Sequence, residues 1–157
     1  MITYREKVLL KGDNVSIRKY KKTEVNKLIK IWYEGSVIAH DFIEKDFWKS
    51  QQKDMEGKYL PMSETYVICN EIEVVGFVSM IDDYLAALFI DVEHQGEGYG
   101  KRLLNFIKER RKKIQLKVYK KNRNAVNFYM RNGFIIKEEL IDKQTDEEEF
   151  LMEWLGV

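Results

Sequence analysis

A loop with three glycines carries the clearest chemical signal in the sequence. It is Gln95-Gly96-Glu97-Gly98-Tyr99-Gly100, and it lies between an apolar run, 85–92, and an amphipathic stretch that begins near Lys101. Glycines let the backbone approach a ligand closely, and the first amides of a helix have no partners in the chain and carry the positive end of its dipole. A strand, a glycine turn and a helix in this order predict a site for a phosphorylated ligand.

Two common glycine-rich loops do not fit these residues. A nucleotide P-loop has a glycine where Gln95 stands, and Arg102 takes the place of the Ser or Thr that binds magnesium. In a dinucleotide fingerprint the last glycine would fall on Lys101 or Leu103, depending on which glycine starts the pattern. Both alternatives therefore fail at the residues that carry their chemistry.

Hydrophobic periodicity predicts the elements that must position this loop. The predicted order is β-α-α-β-β-β-α-β-α-β-β, with the glycine loop directly before the third helix. Gly35-Ser36 is expected to end the first helix, and Asp41 to cap the second. The polar segment 142–149 is expected to be an exposed connection between the last two strands. No internal repeat or linker interrupts the pattern, so we expect one domain over residues 1–157.

Composition excludes several classes of function. The 157 residues carry 27 Lys and Arg against 26 Asp and Glu, and a net charge of +1 gives no global attraction to nucleic acid or an anionic membrane. A single cysteine, Cys69, excludes a disulfide framework and cysteine-rich zinc spacings. No segment approaches the ~18 continuous apolar residues of a spanning helix, and the N-terminus lacks a signal-peptide pattern. These features predict a cytoplasmic protein.

Two linked motifs resemble those of the GNAT family of N-acetyltransferases. The first is Gln95-x-x-Gly98-x-Gly100 at the strand-to-helix junction. The second is an Asn, a helix carrying Phe-Tyr, and Gly-Phe leading into a strand, found here as Asn122-Arg123-Asn124-Ala125-Val126-Asn127-Phe128-Tyr129 followed by Asn132-Gly133-Phe134. The element order agrees over nearly the whole chain, and the segment 32–42 further resembles small bacterial members of the family.

The resemblance implies an α/β (α+β) fold. Its expected form is a mixed, mostly antiparallel central sheet of about six to seven strands, flanked by about four helices. In the family two neighbouring strands splay apart, which here places the splay between the strand that ends near Val92 and the strand that starts near Ile114.

The resemblance also implies acetyl-CoA as the cofactor, with no metal. Backbone groups of the splayed strand, at Phe89, Ile90 and Val92, would bind the pantetheine arm as an added strand does, and Asn122 would contact the cofactor. Lys120, Lys121 or Arg123 could neutralise the adenosine 3′-phosphate, or could form a solvated basic loop. The pyrophosphate would be held by the amides of Gln95, Gly96, Glu97, Gly98, Tyr99, Gly100 and Lys101.

Acetyl transfer to an amine needs a proton for the departing thiolate and a base for the amine. Tyr129 matches the tyrosine that donates this proton in the family, and a phenol with a reference pKa of about 10 suits a thiolate of about 8.5. From periodicity alone Tyr129 could instead pack beside Phe128 on a buried helix face. Asn122 could likewise serve only as the N-cap of that helix.

The base and the acceptor are less clearly encoded. His40 is the best candidate base, since its reference pKa is about 6.5 and the loop between the first two helices borders the acceptor site in the family. It could instead hydrogen-bond the helix cap beside Asp41, and ordered water could take the proton. Trp32, His40 and Phe42 are candidate acceptor-binding residues, although aromatic residues at helical spacing are more often core.

The leading hypothesis is therefore an N-acetyltransferase that acts on a primary amine of a small molecule or peptide. The alternative is an acyl-CoA-binding module or sensor without efficient transfer. We expect no nucleic-acid or membrane partner. An edge strand near the C-terminus could pair with a second copy in a homodimer or stay protected in a monomer.

Overall fold

The structure is a computed structural model that describes residues 7–9 and 14–156. Among these residues it contains eight strands and five α-helices. The helices are α1 (Val25–Ala39), α2 (Lys45–Asp54), α3 (Leu60–Met62), α4 (Tyr99–Lys108) and α5 (Arg123–Arg131). The strands are β1 (Lys7–Leu9), β2 (Ser16–Lys19), β3 (Glu64–Cys69), β4 (Val74–Ile81), β5 (Tyr84–Ile90), β6 (Lys113–Tyr119), β7 (Ile135–Asp142) and β8 (Glu147–Leu155).

All eight strands belong to one sheet in the order β1-β2-β3-β4-β5-β6-β8-β7. Every neighbouring pair is antiparallel except β5 and β6, which are parallel. The expected α/β class and the mixed, mostly antiparallel sheet are confirmed. The sequence analysis missed β1, which pairs with β2 at the edge and adds one strand to the expected number. No helix among residues 14–156 is both long enough and apolar enough to cross a membrane.

The two faces of the sheet bury separate hydrophobic cores. The helices α4 and α5 cover one face, with Leu103, Leu104 and Ile107 among the fully buried residues. The helices α1 to α3 cover the other, where Leu28 and Leu60 pack against the sheet. A side chain that reaches from one face to the other can do so only where the sheet opens.

That opening lies between β5 and β6, as the family resemblance implies. The two strands pair only at Tyr84 and Gln115 and diverge beyond this point. A bulge in β5 sets the shape of the opening, because Ser79 pairs with Ala87 and Met80 with Leu85, which leaves Ala86 as the extra residue. A bulge bends its strand and locally interrupts the ladder of hydrogen bonds.

Two predicted helix boundaries are wrong. The pair Gly35-Ser36 does not end α1, which continues to Ala39. A Cβ on Gly35 would lie 2.8 Å from the ring of Phe89, so this glycine lets the helix pack closely against β5. Asp41 does not cap α2, because the turn in which Ile43 donates to the His40 carbonyl, at 3.0 Å, separates it from the helix. Glu44 is the capping position.

The predicted exposed connection 142–149 is also shorter than expected. The strand β7 runs to Asp142 and β8 begins at Glu147, so only residues 143–146 form the turn. The Asp142 carboxylate accepts a hydrogen bond from the Gln144 amide at 3.0 Å, which is a side-chain turn that propensity arguments cannot locate to the residue. As a result residues 147–149 lie on β8, and their side chains point alternately to the two faces of the sheet.

Candidate active site

A cleft of about 1350 Å³ passes through the sheet where β5 and β6 diverge. At one end it is lined by residues of the glycine loop and the first turn of α4, 95–101, and we call this the loop end. At the other it is lined by side chains from both sheet halves and from α1 and α2. We call this the aromatic end, after Trp32, His40, Trp48 and Tyr119.

The loop end is built for close approach by an anion. Gly98 stands at the N-cap position of α4 with a φ of 85°, and Gly96 has a φ of 81°, so both favour glycine. No atom lies within 4 Å of a Cβ built on either residue, which leaves the backbone open to a ligand. The first helical hydrogen bond runs from the Arg102 amide to the Gly98 carbonyl, so the preceding amides have no helical partner.

Six of the seven predicted pyrophosphate residues line the cleft. The seventh, Glu97, does not, and its carboxylate lies 3.3 Å from Nδ1 of His94. Val92 also lies outside the lining, because it begins a 3-10 turn, Val92–His94. The residues of the loop that line the cleft are Gln95, Gly96, Gly98, Tyr99, Gly100 and Lys101.

The open edge of β5 presents unpaired backbone groups, but not those of Phe89. The Asp91 amide donates to the Val75 carbonyl at 2.8 Å, so Asp91 and, by alternation, Phe89 turn their backbone groups toward β4. The backbone N–H and C=O groups of Leu88 and Ile90 therefore point toward the cleft. Consistently, the Gln95 side-chain amide donates to the Ile90 carbonyl at 3.3 Å. Phe89 lines the cleft with its side chain.

Tyr129 lies where the cleft crosses the core. It is 8% exposed and packs edge-on against Phe128 and Phe134, with ring centroids 5.2 and 5.3 Å away. It lines the cleft as well, so the packing interpretation and the site interpretation hold together. Burial, and to a smaller extent the nearby Tyr84, raises the pKa of its hydroxyl above the ordinary value. Tyr129 therefore stays protonated at neutral pH.

Asn122 joins the two sides of the cleft. Its side-chain oxygen accepts a hydrogen bond from the Ala125 amide at 3.3 Å, which confirms it as the N-cap of α5. Its side-chain nitrogen, a donor, lies 3.2 Å from Nε2 of His40 at the end of α1. The contact makes Nε2 of His40 an acceptor, so the neutral histidine carries its proton on Nδ1.

The environment of His40 argues against the predicted role as a base. The ring is 8% exposed and stacks on Trp48, with centroids 5.0 Å apart. Burial lowers its pKa to about 4, and the nearby Ser36 carbonyl offsets this only in part. A group with so low a pKa is a weak acceptor for the proton of a lysine-like ammonium, whose pKa is about 10.4. His40 instead holds the aromatic end in place through Asn122.

The other predicted acceptor residues differ in position. Trp32 lines the cleft but also belongs to the core, packing against Trp48 with ring centroids 6.0 Å apart. Phe42 does not line the cleft. It supports the lining from behind, through edge contacts with His40 and Tyr119 at 5.8 and 5.7 Å.

Sequence analysis missed the polar side of the aromatic end. The Tyr119 hydroxyl donates to the Asp142 carboxylate at 2.5 Å, and burial together with this bond raises the tyrosine pKa. Tyr84 and Glu149 also line the cleft. Burial raises the pKa of Tyr84, and the nearby Glu149 raises it further. Burial also raises the pKa of Glu149, and the nearby Asp142 adds to that rise. No local sequence signal marked Glu149, because its place opposite Tyr119 is set by the register of β8 against β6.

The basic residues near α5 have different surroundings. Lys120 lies 3.1 Å from Glu139 and 3.6 Å from Glu148, and Lys121 lies 3.1 Å from Glu147. Arg123 is exposed and lines the cleft. Of the three predicted phosphate-binding candidates, Arg123 has the clearest access to an anion. Within residues 14–156, no three His, Cys, Asp or Glu side chains are grouped so as to hold a metal ion.

One family model and several known proteins resemble this chain in sequence. Residues 61–136 match the family model described as an acetyltransferase (GNAT) domain. The chain is 29% identical to peptidyl-lysine N-acetyltransferase YiaC of Escherichia coli over 88% of this chain and 95% of that protein. It is 30% identical to peptidyl-lysine N-acetyltransferase YjaB of Salmonella typhimurium over 76% of this chain and 83% of that protein.

Solved structures show the same fold. The solution structure of apo YjaB from Escherichia coli superposes with a TM-score of 0.80 at 26% identity, over 91% of this chain and 99% of that one. The PaiA N-acetyltransferase from Thermoplasma acidophilum, solved in complex with coenzyme A, gives a TM-score of 0.77 at 20% identity, over 90% of this chain and 98% of that one.

Proposed function

Because the chain belongs to the GNAT family and is an acetyl-CoA-dependent N-acetyltransferase, we propose that its acceptor is the side-chain amine of a lysine in a peptide or protein. The observation that carries this proposal is one continuous cleft that runs from the glycine loop, past Tyr129, to an aromatic and acidic end on the other sheet face. The cleft gives a donor and an acceptor access from opposite sides.

The loop end suits the donor. Unpartnered amides at the start of α4 and the open backbone at Gly96 and Gly98 suit a pyrophosphate. The backbone groups of Leu88 and Ile90 on the open edge of β5 suit an extended chain that carries amides. Acetyl-CoA binds here as a substrate and supplies an acetyl group activated as a thioester.

Tyr129 is proposed as the general acid. A thiolate leaves when the amide forms, and a proton on sulfur makes that departure easier. Tyr129 is buried and lines the cleft, and its raised pKa keeps the proton on the hydroxyl at neutral pH. Asn122 is proposed to orient α5, and with it Tyr129, through its contacts with Ala125 and His40.

The lysine acceptor rests on the relatives and on the charge of the aromatic end. Three curated relatives at 29–30% identity are named peptidyl-lysine N-acetyltransferases. Asp142 and Glu149 line the aromatic end, and carboxylates favour a cationic amine over a neutral group. The long apolar stem of a lysine also fits a passage lined by aromatic rings.

The direct test is release of free thiol from acetyl-CoA in the presence of an acceptor panel. The panel contains lysine peptides, the same peptides with arginine in place of lysine, and polyamines, and mass spectrometry locates the acetyl group. We expect acetylation of the lysine peptides at the ε-amine. Faster transfer to polyamines would replace the proposed acceptor class. Binding of acetyl-CoA without transfer to any acceptor would favour the acyl-CoA sensor instead.

We further propose that residues 1–157 form a single acetyltransferase domain, since all the described strands lie in one sheet.

A cytoplasmic location and the absence of a nucleic-acid partner stay predictions. So does pairing through β7, whose outer edge has no neighbouring strand among the described residues. Its Ile135 and Ile141 are exposed. Sedimentation of the purified protein would separate a homodimer from a monomer.

A further inference from the structure

The acceptor amine reaches the protein as an ammonium, because its reference pKa is about 10.4. Transfer requires a group at the aromatic end that removes a proton, and His40 is disfavoured by its burial. Among the described residues that line the cleft, the carboxylates are Asp41, Asp142 and Glu149. The base, if it is a side-chain carboxylate of this site, is one of these three.

Two of the three are poorly placed for proton transfer. Asp41 is exposed in the turn between α1 and α2, where water solvates a carboxylate and weakens it as a base. The Asp142 carboxylate already accepts two hydrogen bonds, from the Tyr119 hydroxyl at 2.5 Å and from the Gln144 amide at 3.0 Å. Each oxygen of the Asp142 carboxylate therefore already has a donor, one from Tyr119 and one from the turn.

Glu149 is placed differently. It lies on β8 directly opposite Tyr119 of β6, and cross-strand partners have Cβ atoms roughly 5 Å apart. Its side chain is half-buried and lines the cleft. Among the described residues no side chain donates a hydrogen bond to its carboxylate, which leaves it available to a ligand.

The charged and titratable groups around Glu149 come from three strands. They are Asp142 on β7, Lys117 and Tyr119 on β6, and Tyr84 on β5. Burial raises the pKa of Glu149, Asp142 raises it further, and Lys117 lowers it in part. A carboxylate with a raised pKa is a stronger base than a carboxylate in water.

We propose that Glu149 is the general base that removes a proton from the acceptor ammonium, a role that rests on the proposed lysine acetylation. The Glu149 carboxylate takes one N–H proton, and the freed lone pair forms the bond from nitrogen to the acetyl carbon. The bond from that carbon to sulfur breaks with its electron pair on sulfur. Tyr129 gives sulfur its proton, and the second proton lost from nitrogen restores the Tyr129 hydroxyl.

The test compares Glu149→Gln with Glu148→Gln. Glu148 is the neighbouring residue on β8, it is exposed, and it does not line the cleft. With a lysine peptide at pH 7.5, we expect Glu149→Gln to lower kcat about 100-fold and Glu148→Gln to change it less than twofold. Because a deprotonated amine needs no base, we expect the deficit of Glu149→Gln to shrink at least tenfold by pH 10.

A second measurement needs no turnover. Carbon-13 NMR titration of the side-chain carboxyls should give Glu149 a pKa above that of a free glutamate, in a signal that Glu149→Gln removes. Calorimetry with CoA should show the same affinity for both variants and the unaltered protein, which verifies that the loop end is intact.

The outcomes separate this inference from the proposed function. If the unaltered protein acetylates a lysine peptide and Glu149→Gln matches Glu148→Gln at every pH, Glu149 is not the base although the function stands. A constant deficit of Glu149→Gln from pH 7 to 10 also overturns the base role and leaves only positioning. If the unaltered protein acetylates no acceptor, both proposals fail together.

Discussion

The two ends of the cleft are built by different means. The loop end is made of backbone, from one continuous segment in which Gly96 and Gly98 keep the amides accessible. The aromatic end is made of side chains from α1, α2, β6, β7 and β8, brought together only by the fold. A backbone site leaves a local sequence pattern, whereas a side-chain site assembled from distant segments leaves almost none.

The same difference predicts how each end tolerates change. A side chain added at the loop end blocks the site directly, because the ligand would meet the backbone there. Side chains at the aromatic end are each held by several neighbours. His40, for example, contacts Asn122, Trp48 and Tyr119, so the loss of one side chain leaves the others in contact. We therefore expect the largest losses at the loop end and graded effects at the aromatic end.

Gly98→Glu should have the largest effect. The new side chain brings a carboxylate to a phosphate site and has to adopt a φ of 85°, which disfavours residues with a Cβ. We expect CoA affinity to fall at least about 1000-fold by calorimetry, while the circular dichroism spectrum stays unchanged. Gly57→Glu is the matched control, since a Cβ on Gly57 also meets no atom within 4 Å but lies outside the cleft. Unchanged affinity of Gly98→Glu would remove the loop from the donor site.

Tyr129→Phe should have the next largest effect, at the point where the two ends meet. Loss of the hydroxyl removes the proposed general acid but keeps the ring contacts with Phe128 and Phe134. We expect kcat to fall about 100-fold with CoA affinity within twofold of the unaltered protein. Tyr33→Phe, on α1 and outside the cleft lining, serves as the control. A kcat equal to that of the control would limit Tyr129 to packing.

His40 should contribute a smaller effect on stability that depends on pH. Its pKa is about 4 in the folded protein and about 6.5 when unfolded, so between these values the unfolded state binds more protons. The stabilisation is complete above pH 6.5 and is lost as pH falls toward 4. From pH 7.5 to pH 5 the free energy of unfolding should fall by about 2 kcal/mol more than in His40→Gln.

Urea unfolding of both proteins at the two pH values measures this difference. The glutamine keeps an acceptor for the Asn122 side-chain amide, so the comparison isolates the titration of the imidazole. An equal loss in the two proteins would show that folding does not lower the pKa of His40, which would restore it as a candidate base.

Substitution of the basic residues beside α5 should give the smallest effect. It tests which of them contacts the phosphate of CoA. Arg123→Ala is expected to weaken CoA binding about fivefold, the scale of one exposed ionic contact. Lys120→Ala should change it less than twofold, because Glu139 and Glu148 already pair with Lys120. Dephospho-CoA should abolish the difference between the two variants. A larger effect of Lys120→Ala would contradict this, because it would mean that Lys120 leaves Glu139 and Glu148 to bind the phosphate of CoA.

Much of the loop end could be predicted because its determinants are consecutive. The helix after the loop was expected to begin near Lys101 and begins at Tyr99, and Asn122 is the helix cap that it was expected to be. Three of the expected cofactor contacts differ. Glu97 and Val92 lie outside the cleft lining, and the backbone groups of Phe89 face β4 instead of the cleft. Their direction depends on the register of β5 against β4, and the bulge at Ala86 sets that register, which alternation alone does not reveal.

Less of the aromatic end could be predicted. His40 was expected there, but its low pKa arises from burial under Trp48 and Tyr119, which no local pattern encodes. Glu149 was missed for another reason. The acidic run that contains it has the composition of a loop, and only its pairing with Tyr119 shows that it belongs to a strand. Cross-strand partners are chosen by tertiary structure, so composition was misleading there.

The single pair between Tyr84 and Gln115 also has a mechanical consequence. It is the place where the two parts of the sheet, β1–β5 and β6–β8, are joined by strand pairing, so a rotation of one part against the other would have its pivot here. From Tyr84 to Ile90 the strand extends about 20 Å, at roughly 3.3 Å per residue. A rotation of about 5° at the pivot therefore changes the width of the cleft near Ile90 by about 2 Å. Small adjustments of sheet twist thus suffice to grip or release a molecule the thickness of an extended chain.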